Sequence, residues 1–396
     1  MAHILAIGSN SSGQLATNDS NDAHHLAQTI FADADGYVAD ADTVWRVLGG
    51  GNHAFAWSDD GTKLVASGSN SDGELATGSE GTGPIFLWTP VGFPGDRVRQ
   101  IACGWNHSVL LNAQGQLFSA GSNIFDQLGI GIQGRSQKFS STWMPVLAAQ
   151  DNDNSTTKFV NIACGLRHTL ALDENGMVYG WGANRCGQLG IASPDKKSTS
   201  VLQMKLVSAG LPPIAMLACG RSHSILVAND RRTVFVGGQD KYCQCGPSDS
   251  QPVAGTWRKF LLPRPAAKLC SGWEFGAVLL EPVSKINLTG KGGVVVMWGR
   301  ADHGQLATVQ QSAQSTCSRE LVYVDLDCVH DIACGSNHTV AMTEDGAVYM
   351  WGWNEHGNAG DPSLKNVHQP LRIDSPPLDT RAVAIGCGYG NSYIIL

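Results

Sequence analysis

Apolar residues along this chain come in short strings set between polar turns, and this pattern recurs from end to end. Thr169-Leu170-Ala171-Leu172 and Met177-Val178-Tyr179 flank Asn175-Gly176, and Asp60-Gly61 and Asp345-Gly346 sit in the same relation to their neighbours. Such pairs of strings predict β-hairpins with Asn-Gly or Asp-Gly turns. The apolar positions alternate or run in strings of strand length, so a helical solenoid is poorly supported.

The strings belong to a repeat. Ile101-Ala102-Cys103-Gly104-Trp105-Asn106-His107-Ser108 returns at Ile162 to Thr169, at Leu217 to Ser224 and at Ile332 to Thr339. Weaker copies include Gly51-Asn52-His53, Gly272-Trp273-Glu274-Phe275 and Gly388-Tyr389-Gly390-Asn391. The histidine slot therefore falls at positions 53, 107, 168, 223, 275, 338 and 391, a unit recurring roughly every 50 to 60 residues, the size of one four-stranded blade. A second block, Gly-Ser-Asn-x-x-Gly-x-Leu at Gly68 to Leu75, follows each copy except the last, while an orphan block stands at Gly8 to Leu15. Joining the two ends restores the spacing. The chain thus predicts one all-β domain over 1–396, a seven-bladed β-propeller. Its closing blade is shared between about 1–17 and 378–396, which removes the exposed sheet edges of an open array.

Composition agrees with many tight turns: 47 Gly and 16 Pro among 396 residues, with only 15% charged. No stretch approaches ~18 uninterrupted apolar residues, so no membrane span is expected. The net charge is −7 and the basic residues do not cluster, which argues against a nucleic-acid or anionic-lipid footprint. Met1 to Leu5 lacks the form of a secretory leader. With 11 scattered cysteines, the expectation is an intracellular chain, cytoplasmic or nuclear, with reduced thiols. Polar stretches at 19–42, 133–154, 281–293 and 308–318 read as surface loops.

His53, His107, His168, His223 and His338 invite a metal or acid–base reading, but one per blade cannot converge on one ion. They read as buried residues bonded to their own blade's backbone. The repeat cysteines Cys103, Cys164, Cys219 and Cys334 read as small core residues. Cys243-x-Cys245 has no partner pair at zinc-ligand spacing, so neither metal nor cofactor is expected. Trp181, Trp298 and Trp351 read as core. Trp105 and Trp273, on the turn ahead of the histidine slot, read as exposed binding anchors.

The blocks resemble the regulator-of-chromosome-condensation family of seven-bladed propellers. The third unit carries that pattern almost fully in Ala163-Cys164-Gly165, His168-Thr169, Trp181-Gly182, Asn184 and Gly187-Gln188-Leu189-Gly190. The string Trp351-Gly352-Trp353-Asn354-Glu355-His356-Gly357-Asn358 looks like the fungal alpha-tubulin-suppressor branch. That likeness implies a non-enzymatic scaffold, a monomer or one half of a heterodimer. Its implied partner is a small zinc-binding electron carrier, in wobble-uridine tRNA modification with the Elongator complex and in diphthamide synthesis. It adds Trp353, Glu355 and His356 to Trp105 and Trp273 as partner-binding candidates. The alternative within the family is guanine-nucleotide exchange on a Ran-type small GTPase. An ultraviolet-B photoreceptor is disfavoured, because the two turn tryptophans lie in non-adjacent units.

Overall fold

In the computed structural model of the protein, the described residues are 4–32, 43–78, 83–131, 136–147, 157–192, 199–247, 255–282, 292–308, 316–373 and 381–396. They form seven four-stranded antiparallel sheets. Each blade is named by its place in the ring, I to VII, and its strands A to D by their order along the sheet. Blade I comprises Trp45–Gly49, His53–Ser58, Leu64–Gly68 and Ile85–Pro90. Blades II to VI follow over 98–145, 159–206, 214–261, 266–323 and 329–372. The A strands touch one another in succession around the ring and so line the axis.

Blade VII closes the circle as expected. Ile4–Gly8 pairs with Asn391–Ile395 in antiparallel register, Ile4 opposite Ile395 and Gly8 opposite Asn391. The Tyr393 hydroxyl, fully buried, donates to the Gln14 carbonyl at 2.8 Å and ties the two termini together again. The outermost strand of this blade, Ala23–Gln28, lies beyond the 1–17 span expected from the sequence. Phe139–Pro145 likewise is a D strand where a loop was expected, and the D strand Cys317–Tyr323 begins inside the expected 308–318 loop. A D strand packs on one side only, so its residues mix half-buried and exposed positions without clean apolar alternation. Residues 33–42, 133–135, 148–154, 283–291 and 309–315 of the expected loops lie outside the described residues.

Two circuits of hydrogen bonds hold the blades together near the axis. The first is backbone. Trp105 N–H donates to Leu166 O, Leu166 to Arg221 O, Arg221 to Trp273 O, Trp273 to Ser336 O, Ser336 to Tyr389 O and Tyr389 to Gly50 O. Gly51 N–H donates to Trp105 O, and the circle is closed at N···O distances of 2.8–3.4 Å.

The second circuit corrects the reading of the histidines. They bond to the next blade, not to their own backbone. His53 Nε2 meets Ser108 Oγ at 2.9 Å, His107 meets Thr169 Oγ1 at 3.2 Å, and His168 meets Ser224 Oγ at 2.9 Å. His223 meets Ser271 Oγ at 3.2 Å and His338 meets Ser392 Oγ at 2.9 Å. The reason lies in the glycine of the same turn. A Cβ on Gly104 would sit 2.0 Å from His107 Cε1, so only glycine lets the imidazole lie flat across the turn and reach outward. The Ser108 and Ser392 hydroxyls donate to the Glu74 and Asn358 carbonyls. A hydroxyl has one proton, so each must accept from its histidine; Nε2 carries the ring proton and Nδ1 is bare. In all five rings Nδ1 is buried without a partner.

The core tryptophans are where the sequence placed them. Trp181, Trp298 and Trp351 are fully buried. Their Nε1 groups donate to the carbonyls of Gln127, Gln244 and Gln305 in the preceding blades at 2.9, 3.0 and 3.0 Å. One indole thus supplies both apolar burial and an inter-blade bond.

Burial holds the five histidines well below the usual 6.5, to about 3 for His53, His107 and His168 and to about 4 for His223 and His338. Above pH 6.5 both folded and unfolded chains are neutral there, and the circuit contributes fully. As pH falls toward 4 the unfolded chain takes up protons that the folded one refuses. We therefore expect stability to decline by up to about 1.4 kcal/mol per pH unit per histidine. Urea unfolding at pH 7 and pH 5 measures this. A His168→Gln variant, which keeps an amide donor for Ser224 but cannot titrate, is expected to show a shallower decline than the native chain.

Candidate functional site

The A–B turns and C–D loops of all blades emerge at one end of the strands, because successive antiparallel strands alternate direction. All five candidate residues therefore lie on one face of the disc, but in two separate groups.

Trp105 and Trp273 stand on the A–B turns of blades II and V and meet over the axis. Their ring centroids are 5.8 Å apart. Tyr389, on the same turn of blade VII, completes a triangle at 6.0 Å from Trp105 and 5.7 Å from Trp273. Distance around the ring does not separate residues that point at the centre. Trp105 is 38% exposed, whereas Trp273 is half-buried with its Nε1 covered and unpartnered. Burial pushes the Tyr389 phenol well above its ordinary range, so it stays neutral.

Charge is arranged beside this aromatic cap. The Arg221 guanidinium carbon lies 5.2 Å from the Trp273 ring centroid. Arg221 Nη1 and Arg300 Nη1 each approach a different oxygen of the buried Glu274 carboxylate at 3.4 Å. Arg300 in turn stacks 4.6 Å from the Tyr242 ring and pairs with Asp302 at 2.7 Å. Arg167 lies 4.1 Å over Phe125. Arg167, Arg185, Arg221 and Lys241 are exposed on blades III and IV. The Arg221 side chain keeps 49% of its surface open to solvent. The arrangement suits recognition: planar cations pre-oriented on aromatic faces next to an exposed indole.

Trp353, Glu355 and His356 form the second group, in the C–D loop of blade VI. Trp353 packs edge-on against His356, with centroids 5.1 Å apart. His356 Nδ1 meets Asp22 Oδ2 at 2.6 Å, while the other oxygen of Asp22 accepts from Asn10 N–H. His356 thus joins blade VI to the closing blade. Glu355 is exposed.

The sequence reading missed Tyr389, Arg221, Glu274, Arg300 and Tyr242. For three of them a signal existed. Trp105, Arg221, Trp273 and Tyr389 share one repeat slot, Glu274 follows the tryptophan of that slot, and identical slots in a closed ring converge on the axis.

Among the described residues no group of three or more His, Cys, Asp or Glu side chains is placed to hold a metal ion. Burial pushes Cys245 up to about 12. The Cys243 and Cys317 side chains face each other, their Cα atoms 5.9 Å apart, a pairing that the sequence reading did not foresee. Two open grooves on the rim are lined by Gln137, Lys138 and Phe139 in one case, and by His24, His25, Asp361 and Arg372 in the other.

The mouse secretion-regulating guanine nucleotide exchange factor is similar over the whole chain, with 29% identity covering 100% of this chain and 83% of the relative. An RCC1 repeat-containing protein of Schizosaccharomyces pombe is 25% identical, covering 99% and 98%. Among solved structures, Prp20p of Saccharomyces cerevisiae, described with its binding to Gsp1p and histones, superposes with a TM-score of 0.80. It is 21% identical and the match covers 100% of this chain and 91% of that one, a likeness of fold. The RCC1-like domain pattern itself matches residues 3–394, in keeping with the seven repeated slots, the shared blade and the axial turns, and the chain belongs to the RCC1-like domain family.

Proposed function

We propose that this protein is a guanine-nucleotide exchange factor for a small GTPase of the Ran type, acting as a binding scaffold with no covalent step of its own. The observation that carries this reading is full-length similarity to a mammalian exchange factor, repeated in the cattle protein at 28% identity over 99% of the chain. It is joined to a face whose exposed indole and cations suit a protein partner. A cytoplasmic or nuclear setting is part of this proposal. The zinc-protein reading, with its links to Elongator and diphthamide, draws no support from these relatives. The string that suggested it, Trp353 to His356, contributes an intramolecular contact with Asp22.

Exchange requires no reactive side chain. A scaffold that binds the nucleotide-free GTPase more tightly than the GDP-bound form lowers GDP affinity by the same factor, by linkage. The rigid ring supplies a surface whose shape does not relax toward the GDP-bound partner. Trp105, with Arg221 held over the neighbouring Trp273 by Glu274, is the anchor in this scheme.

Catalytic amounts of the protein are expected to accelerate release of fluorescent GDP from a Ran-type GTPase; unchanged release across a panel of small GTPases removes the reading. Trp105→Ala is expected to cut the acceleration about thirtyfold, as for a binding hot spot. Because Trp105 is partly exposed, its removal should move the unfolding midpoint little. His356→Ala is expected to do the reverse: exchange retained and stability lowered by about 0.5–1.5 kcal/mol, the worth of a hydrogen bond. Release kinetics and urea unfolding on the same preparations separate the two.

A further inference from the structure

The C–D loop of each blade begins with a turn in which the residue three after the Asn slot has a left-handed backbone. Five blades place glycine there, Gly13, Gly73, Gly187, Gly304 and Gly357, at φ of 76 to 84°. The space beside this residue is taken by the D strand of the next blade. A Cβ on Gly73 would sit 2.5 Å from Ser141 Cα, one on Gly304 2.5 Å from Val367 O, and one on Gly357 2.8 Å from His24 Cα. Whatever stands at this position faces the first residues of the neighbouring D strand.

Two blades depart from glycine, and each uses its side chain to reach that strand. In blade II, Asp126 at φ 60° accepts a hydrogen bond from Ser200, the first residue of the blade III D strand. In blade IV, Cys243 at φ 61° faces Cys317, the first residue of the blade V D strand. Their Cα atoms are 5.9 Å apart, within the usual span for a disulfide. The repeat geometry alone brings these two cysteines together, although 74 residues separate them in sequence.

The neighbourhood supports a brace at this point. Asp240 occupies the Asn slot of the same turn, and its Oδ2 pairs with Arg258 at 2.8 Å and with Arg319 at 2.7 Å. Arg319 lies two residues beyond Cys317 on the same strand, so one buried carboxylate and one cysteine pair clamp the same two segments. Cys243 and Cys317 are both half-buried, open enough for a small thiol to reach, whereas Cys103, Cys245 and Cys387 are buried.

We propose that Cys243 and Cys317 form a reversible redox modification site, a disulfide brace between blades IV and V on the partner-binding face, operated by exchange with glutathione-class thiols. In oxidation, the thiolate of one cysteine attacks glutathione disulfide and expels one glutathione thiolate. The second cysteine then attacks the mixed disulfide and expels the other. Two electrons pass from the cysteines to glutathione, and the two cysteine protons end on the released glutathiones. Reduction runs the same steps backward. The site does not depend on the exchange reading, since it follows from the repeat geometry and the two cysteines alone.

The test equilibrates the full chain with reduced and oxidised glutathione at graded ratios, traps free thiols by alkylation, and reads the peptides by mass spectrometry. A peptide joining Cys243 to Cys317 is expected to grow with oxidised glutathione and to vanish with excess reduced glutathione. The unfolding temperature is expected to rise by about 4–10 °C on oxidation, as for a disulfide closing a long loop in a chain of this size. Cys317→Ser is expected to lose both responses, and so is Cys243→Gly, which installs the residue five other blades carry. The proposal is overturned if no Cys243–Cys317 peptide forms at any ratio, or if Cys243 pairs instead with Cys245 or Cys186. It is equally overturned if the native chain shows no thermal shift, or if Cys317→Ser keeps it.

Discussion

The hydrogen-bonded pairing of Ile4–Gly8 with Asn391–Ile395 is the constraint on which the rest depends. A blade is too small to bury its own faces and relies on a neighbour on each side. Seven blades in a closed ring share seven interfaces, whereas an open row would leave two terminal faces in water. Placing the seam inside a sheet, rather than between two sheets, commits the ends to a ladder of backbone bonds and to the Tyr393–Gln14 contact. The fixed alignment of the A–B turns then follows. Trp105, Trp273 and Tyr389 come from blades II, V and VII, and their triangle exists only while the circumference is closed.

Within the ring, departures from the repeat are more informative than its copies. Asp240 replaces the asparagine of its turn and, unlike a neutral amide, needs countercharge when buried; Arg258 and Arg319 supply it. Phe275 and Asn391 replace histidine, and the hydrogen bond to the next blade is missing at those two places. Trp88 Nε1 bonded to Thr29 and Phe31 packed against Trp45 strengthen the seam between blades VII and I. Between blades V and VI the Lys268–Asp331 pair and the Trp351–Gln305 bond serve instead.

The inner three strands of most blades were legible because each carries a constrained dipeptide or triplet: Cys-Gly ahead of histidine, His-Ser/Thr, and Trp-Gly. Their residues are fixed by close approach and burial, so chemistry survives in the sequence as a word. The outer strands were not legible. Ala23–Gln28 and Phe139–Pro145 are half-solvated ladders whose side chains answer mainly to backbone pairing. The two turn tryptophans were found from their slot, although only Trp105 is exposed as expected, and their contact was not found, since spacing along the chain measures angle around the axis and not distance across it. Cys243 and Cys317 escaped for a related reason. One sits in a turn and the other in a stretch read as loop, and only the offset of each C–D turn onto the next blade makes them neighbours.

The bare Nδ1 atoms give the histidine circuit a sense of direction. Where the partner hydroxyl spends its proton on a carbonyl, at Ser108, Ser271 and Ser392, the imidazole gives its Nε2 proton to the next blade, so these bonds run the same way round the ring. Phe275 and Asn391 cut the circuit into a run through blades I to V and a short link from VI to VII. The five histidine bonds thus group the blades into a wide sector, I to V, and a narrow one, VI and VII, and the backbone circuit and other side-chain contacts carry the two boundaries between them. The wide sector carries both Trp105 and Trp273, while Tyr389 belongs to the narrow one. A partner seated on the axis would touch both sectors at once, and through Tyr389 it would rest beside the seam with blade I, where the Tyr389 N–H donates to Gly50 O.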